Sequence, residues 1–204
     1  VELGSGSHVD RAWQVTIGAP RVVIAVLDTG INWDNSELVR KIYVNVGELP
    51  VPEGAAAHDA NGDGVVNIDD YAADSRVSDR NANGLLDPGD LIRVFSDGVD
   101  DDANGYVDDI SGSDFFKNDN DPADDTRFGH GTGEAKDSCA ETNNGSGMAG
   151  VCPLCRPLMV RVGDSFVTDV QIFAQAVVFA VDSGASAIQE ALGTVDMSSF
   201  ARTA

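Results

Sequence analysis

His130 stands between two glycines in "RFGHGTGEAKD", in a chain that has only three histidines. Far upstream, the β-branched run "VVIAVLDTGI" delivers Asp28. Together the two residue types suit proton transfer. A buried carboxylate fixes the tautomer of an imidazole and stabilises the imidazolium that forms when the ring takes a proton. The small residues of "GHGTGEA" let the start of a helix press against neighbouring backbone. A helix N-terminus disfavours a cation, and a carboxylate partner opposes that effect and keeps the base usable.

A second set of residues suits a hard cation. "DANGDGVVNIDD" places Asp59, Asn61 and Asp63 at positions one, three and five of a twelve-position loop, with Gly64 at the sharp turn. Val65 offers a backbone carbonyl, Asn67 fills position nine and Asp70 position twelve. Oxygen donors at alternating positions can wrap Ca2+. "DRNANGLLDPGD" repeats the pattern with Asp79, Asn81, Asn83, Leu85 by its carbonyl, Asp87 and Asp90. A third stretch, "DDDANGYVDD", offers Asp100, Asp102, Asn104, Tyr106 by its carbonyl and Asp108, but has Ser111 where an acid would be needed. Asp in place of Glu at position twelve of the first two loops points to moderate affinity. The other reading of these stretches is a solvated, turn-rich segment in which Asp and Asn cap turns.

Strands and helices must carry these residues. Residues 22–27 read as a buried strand that presents Asp28 at its carboxyl end, and "PLMVRV" at 157–162 as a second strand. "TDVQIFAQAVVFAVDSG" reads as a helix capped by Thr168 or Asp169, with Ile172, Phe173, Ala176, Val177, Ala180 and Val181 at apolar spacing and Gly184 ending it. "ASAIQEALG" reads as a further strand. Apolar strands alternating with helices predict a parallel sheet covered on both faces, with functional residues at the carboxyl ends of the strands. The Asp/Asn/Gly-rich stretch at 54–96 interrupts this order and reads as an inserted segment.

Composition narrows the partners. The chain has 204 residues, 42% of them hydrophobic, enough for one domain with a sizeable core. With 34 acidic against 13 basic residues and a formal charge of -21, it repels nucleic acid and anionic membranes. No apolar run approaches a membrane span. The chain begins at Val1 without a Met or a signal peptide, which reads as a mature form or a piece of a longer protein. Cys139, Cys152 and Cys155 are too few for a disulfide scaffold. Cys152 and Cys155 in "CPLC" suit a tight disulfide, free thiols, redox chemistry or a metal with distant ligands, and Cys139 is free to pair with either; a local disulfide or free thiols is the favoured reading over zinc.

An Asp-Thr-Gly after a strand also occurs in aspartic peptidases and phosphate-binding turns, and a lone His is usually structural. In this order, however, the sequence resembles the subtilisin-like serine peptidases (subtilases). "VVIAVLDTGI" looks like the family's Asp motif and "GHGTG" like its His motif. "NNGSGMAGVCPLCRPLMVRV" and "AVVFAVDSGASAIQEALG" are similar to its central strand, the following helix and its substrate-lining strand, and "DGVDDDANGYVDDISGSDF" to a segment before the His motif in many bacterial members. The resemblance covers most of residues 12–193 outside the insertion. It implies an α/β, three-layer subtilisin-like fold with a mainly parallel sheet, incomplete here, spanning 1–204, with the calcium-loop segment 54–96 inserted. It implies Asp28 as the residue that orients the imidazole, His130 as general base, and Ala191, Leu192 and Gly193 as backbone for an extended substrate.

The family's Ser lies in a late Gly-Thr-Ser, which does not occur in these 204 residues. The expectation is therefore a serine endopeptidase acting on proteins or peptides, with its nucleophile in a C-terminal half outside this chain and the chain alone inactive. The family and the calcium loops together imply secretion or the cell surface. Two departures stand out: Gly133 replaces a second His, and Glu134 and Lys136 replace small apolar residues. Glu190, beside the substrate-lining strand, reads as a core-edge residue rather than a pocket determinant. The alternatives are a pseudoenzyme or a calcium-binding interaction module, since the paired loops resemble dockerin repeats in ligand spacing.

Overall fold

The computed structural model describes residues 7–193 apart from 166 and 168. A short helix, α1 (Val9–Ala12), precedes β1 (Val23–Asp28); α2 (Pro88–Phe95), β2 (Ser113–Asp114), α3 (His130–Cys139), β3 (Arg156–Arg161), α4 (Val170–Asp182) and β4 (Ala187–Glu190) follow. The sheet order is β2-β3-β1-β4, and every pairing within it is parallel. β1 lies between β3 and β4, which is why its sequence is apolar almost throughout rather than alternating. It places Asp28 beside Arg161 at the carboxyl ends of the two central strands.

Alternate residues of the central strands serve two cores, and this makes the fold three-layered. Val26 and Met159 face Ala135 of α3, Ile31, Leu38 and Ile110. Ala25, Leu27, Leu158 and Val160 face Ala176, Phe179 and Ala180 of α4. The α/β parallel fold expected from the sequence is thus the observed one. In α4, Asp169 accepts the N–H of Gln171 at 2.8 Å as N-cap, and Gly184 at φ 78° follows the helix end; Thr168 lies outside the described residues. Val181, expected on the buried stripe, is 61% exposed, because Phe179 and Ala180 carry that face. In so apolar a helix the spacing alone leaves the rotation undecided.

Segment 54–96 shares the first core. Ile68, Tyr71, Leu91 and Ile92 are buried in one cluster with Val26, Ile31, Trp33 and Met159. Each acidic loop in it runs into a short helix: a 3-10 turn at Ile68–Tyr71 and α2, each opened by a capping box, Asn67 with Asp70 and Asp87 with Asp90. The segment joins the frame through its helices and leaves its loops at the surface.

Candidate active site and acidic loops

Asp28 is 1% exposed at the end of β1, and one of its carboxylate oxygens accepts the Thr29 N–H at 2.7 Å. His130 opens α3, and its Nδ1 lies 2.9 and 3.0 Å from the two Asp28 oxygens. The carboxylate therefore fixes the proton on Nδ1 and leaves Nε2 to accept another. This hydrogen bond, more than any other influence, raises the His130 pKa above its ordinary value of 6.5; partial burial opposes it, and the charges of Asp28 and Glu134 add to it.

Two glycines make the approach possible. Gly129 turns into the helix at φ 81°, a left-handed conformation that costs it little. At Gly131 a Cβ would collide with the Gly30 carbonyl oxygen and lie 3.0 Å from Asp28 Cβ. Two threonines lock the same contact: the Gly131 N–H donates to Thr29 Oγ1 at 3.0 Å, and the Asn32 N–H to Thr132 Oγ1 at 2.9 Å. Asp124, 4% exposed, accepts the N–H groups of Phe128 and Gly129 just before His130. The sequence reading passed over Thr29, Thr132 and Asp124, although each lies within or next to the quoted motifs.

The first acidic loop folds around its own carboxylates. Asp59 accepts N–H bonds from Gly62 and Gly64, Asn61 Oδ1 from Asp63, and Asp63 from Val65. Asp70 closes it, accepting from Ala60, Asn61 and Asn67. The second loop repeats the scheme: Asp79 accepts from Asn83 and Gly84, Asn83 Oδ1 from Leu85, and Asp90 from Arg80, Asn81 and Asp87. Here, however, the Asn81 and Asn83 amides donate to Asp87, which burial pushes upward in pKa. At positions one, three and five the first loop has two carboxylates, Asp59 and Asp63, where the second has Asp79 alone with two asparagines whose amides are taken up by Asp87.

The third loop is completed from elsewhere in the chain. Asp100 accepts from Asn104 and Gly105, and Asn104 Oδ1 from Tyr106. The bonds that Asp70 and Asp90 take from positions three and nine are here taken by Glu48, from Asp102 at 3.2 Å and Asp108 at 3.1 Å. Glu48 is 3% exposed and sits in the 3-10 turn Val46–Glu48. Its carboxylate clusters with those of Asp100 and Asp102 within 4.8 Å. The Asp108 carboxylate does not join them: it accepts the N–H groups of Asp97 and Gly98, both at 2.9 Å. Asp109 faces the cluster instead, bonded by the Asn45 and Asn104 amides, with its pKa pushed up to about 7 chiefly by burial. Glu48 escaped the sequence reading because local spacing cannot find a donor so far upstream.

The remaining candidates lie elsewhere in the chain. Ala191, Leu192 and Gly193 follow β4; Leu192 is buried, Ala191 and Gly193 are exposed, and the Gly193 carbonyl accepts the Val167 N–H at 3.1 Å. Cys152 and Cys155 form a disulfide, and Cys139 is a buried free thiol whose pKa burial raises to about 12. No helix among the described residues is long and apolar enough to cross a membrane.

Comparison with known proteins gives the family. The chain is 42% identical over 112 residues to "Thermophilic serine proteinase" of Bacillus sp. (strain AK1), a stretch that is 52% of this chain and 26% of that protein. It is 42% identical over 78 residues to "Subtilisin-like protease 1" of Plasmodium vivax, 34% of this chain and 12% of that protein. The chain thus covers only a small part of the length of these relatives. Residues 20–204 match the family model described as the Subtilase family, and with Asp28 at the end of β1 joined to His130 at the start of α3, the chain belongs to the subtilases.

Proposed function

We propose that this chain carries the Asp–His part of a serine endopeptidase that hydrolyses peptide bonds in proteins. The observation that carries the reading is the contact of His130 Nδ1 with both oxygens of buried Asp28, which leaves Nε2 to serve as base. Asp28 holds the ring and stabilises its cation. His130 takes the proton of an attacking serine hydroxyl and then gives it to the leaving amine. The serine and the oxyanion donors come from sequence outside these 204 residues, and the chain alone is inactive. Ala191, Leu192 and Gly193 border the groove in which an extended substrate lies. A fluorophosphonate probe tests this in a protein joining the chain to its Gly-Thr-Ser segment: labelling of the serine requires His130, and equal labelling of His130→Ala refutes the role.

Calcium is the second part of the proposal. The donor chemistry fits, since each loop presents carboxylate and amide oxygens and none of Asp59, Asp63, Asp79, Asp100 or Asp102 is among the ion pairs of the described residues. Asp59, Asn61, Asp63, Val65, Asn67 and Asp70 would hold one ion, and Asp100, Asp102, Asn104 and Tyr106 with Glu48 another. Asp79, Asn81, Asn83, Leu85, Asp87 and Asp90 would hold a weaker one, their amides having to turn from Asp87. The ion would supply positive charge to an acidic surface and favour the folded state. The same requirement, with the family, supports a secreted or cell-surface setting. The shared core of the paired loops and β1 argues against a separable docking module.

A further inference from the structure

Two carboxylates approach the His130 ring, one at each nitrogen. Asp28 meets Nδ1, while Glu134 Oε1 lies 3.9 Å from Nε2, one helical turn further along α3. Glu134 is not free to swing. The Gln189 carboxamide, reaching over from β4, donates to Glu134 Oε2 and, at 3.5 Å, to the Glu134 carbonyl. Ser138 Oγ, a further turn along the same helix face, donates to Gln189 Oε1. Strand β4 is paired to β1, with Gln189 beside Val26, so the clamp and Asp28 stand on neighbouring strands.

We propose that Glu134 is a second carboxylate partner of His130, a positioning residue that holds the imidazolium from the side opposite Asp28 and is itself held by Gln189 and Ser138. The consequence for catalysis rests on the reading of His130 as base. With Nδ1–H directed at Asp28, the neutral ring turns a lone pair toward Glu134, which is unfavourable; the cation turns an N–H toward it, which is favourable. The charge that develops on the ring as it takes the serine proton therefore forms between two carboxylates. In exchange the ring stays protonated, and unable to act as base, to a higher pH.

The ion pair is partly exposed, and pairs of that kind are commonly weak because ordering two side chains costs entropy. Here the Gln189 clamp has already ordered one of them. Other charged groups packed around the ring are accounted for. Glu190 of β4 interacts with the Asp28 charge. Arg161 of β3 is engaged with Asp114, Asp125 and Asp164. Asp124, ahead of α3, is turned to the Phe128 and Gly129 N–H groups.

The test is an NMR pH titration of the His130 ring in the full chain, where only His8 and His58 share the spectrum. Glu134→Gln lowers the His130 midpoint by about 0.3 pH unit, the size of an i,i+4 ion pair. Gln189→Ala, which keeps the charge but frees it, lowers the midpoint by less. Raising the salt lowers the midpoint more in the unaltered chain than in Glu134→Gln, since only the former has this carboxylate to screen. A His130 midpoint unmoved or raised in Glu134→Gln, or a salt response no larger in the unaltered chain than in that variant, overturns the proposal. None of these readings needs hydrolysis, so they stand apart from the peptidase proposal. In an active protein the acid limb of kcat/KM moves down with the same substitution, and a limb that stays in place overturns the link to catalysis.

Discussion

The Asp108 N–H donates to Glu48 Oε2 at 3.1 Å across 60 residues of sequence. Through this bond and its partner from Asp102, a 3-10 turn ahead of the insertion closes the acidic loop that lies behind it. Segment 54–96 is thereby bracketed: whatever holds the third loop also fixes the chain on both sides of the insertion.

Calcium bound as proposed should stabilise the chain measurably, with Glu48 carrying part of the effect. A site filled to a hundred times its Kd adds about 2.7 kcal/mol to folding. The expected outcome is a higher Tm in millimolar calcium than in chelator, with the gain reduced in Glu48→Gln and reduced again when Asp70→Asn is added. Equal melting in calcium and chelator, with no heat on calorimetric titration, removes the loops from the account.

Gly131 decides how closely α3 meets β1. Its missing Cβ leaves room for the Gly30 carbonyl and Asp28 Cβ, so Gly131→Ala overpacks the contact at a cost of roughly 1–3 kcal/mol. Chemical denaturation measures the loss. The matching substitution Gly133→Ala, at a position open to solvent in the same helix, should stabilise slightly, by up to about 1 kcal/mol.

The raised pKa of His130 makes stability depend on pH with a definite sign. The folded chain binds this proton more tightly than the unfolded chain, whose imidazole titrates near the ordinary 6.5. The contribution is complete below that value and disappears as pH rises through the folded pKa. Denaturation of the unaltered chain and of His130→Gln from pH 6 to 9 should show the stability difference in favour of histidine shrinking with pH. Asp28→Asn should remove most of the slope, since the Asp28 hydrogen bond is its largest cause.

Much of this was legible in sequence because it is local. The β-branched run before Asp28, the glycines around His130 and the repeated loop spacing each announce their geometry within a dozen residues. Glu48 and the Gln189 clamp on Glu134 were not legible, since both arise from contacts made only after the sheet has formed. The place of Asp108 was misjudged for a related reason. At φ 53° its backbone turns the carboxylate to Asp97 and Gly98 and brings Asp109 inward, a one-residue exchange that alternating spacing cannot register. The rotation of α4 was ambiguous because nearly all its faces are apolar.

The central claim is that Asp28 and His130 form the proton-transfer pair of a peptidase. The measurement that tests it most directly is kcat/KM for hydrolysis of an unfolded protein substrate by the chain joined to its serine-bearing segment. Asp28→Asn should lower it about 10⁴-fold and His130→Ala on the order of 10⁶-fold. Hydrolysis within about tenfold of the unaltered protein in both variants, each shown to be folded, would contradict the account.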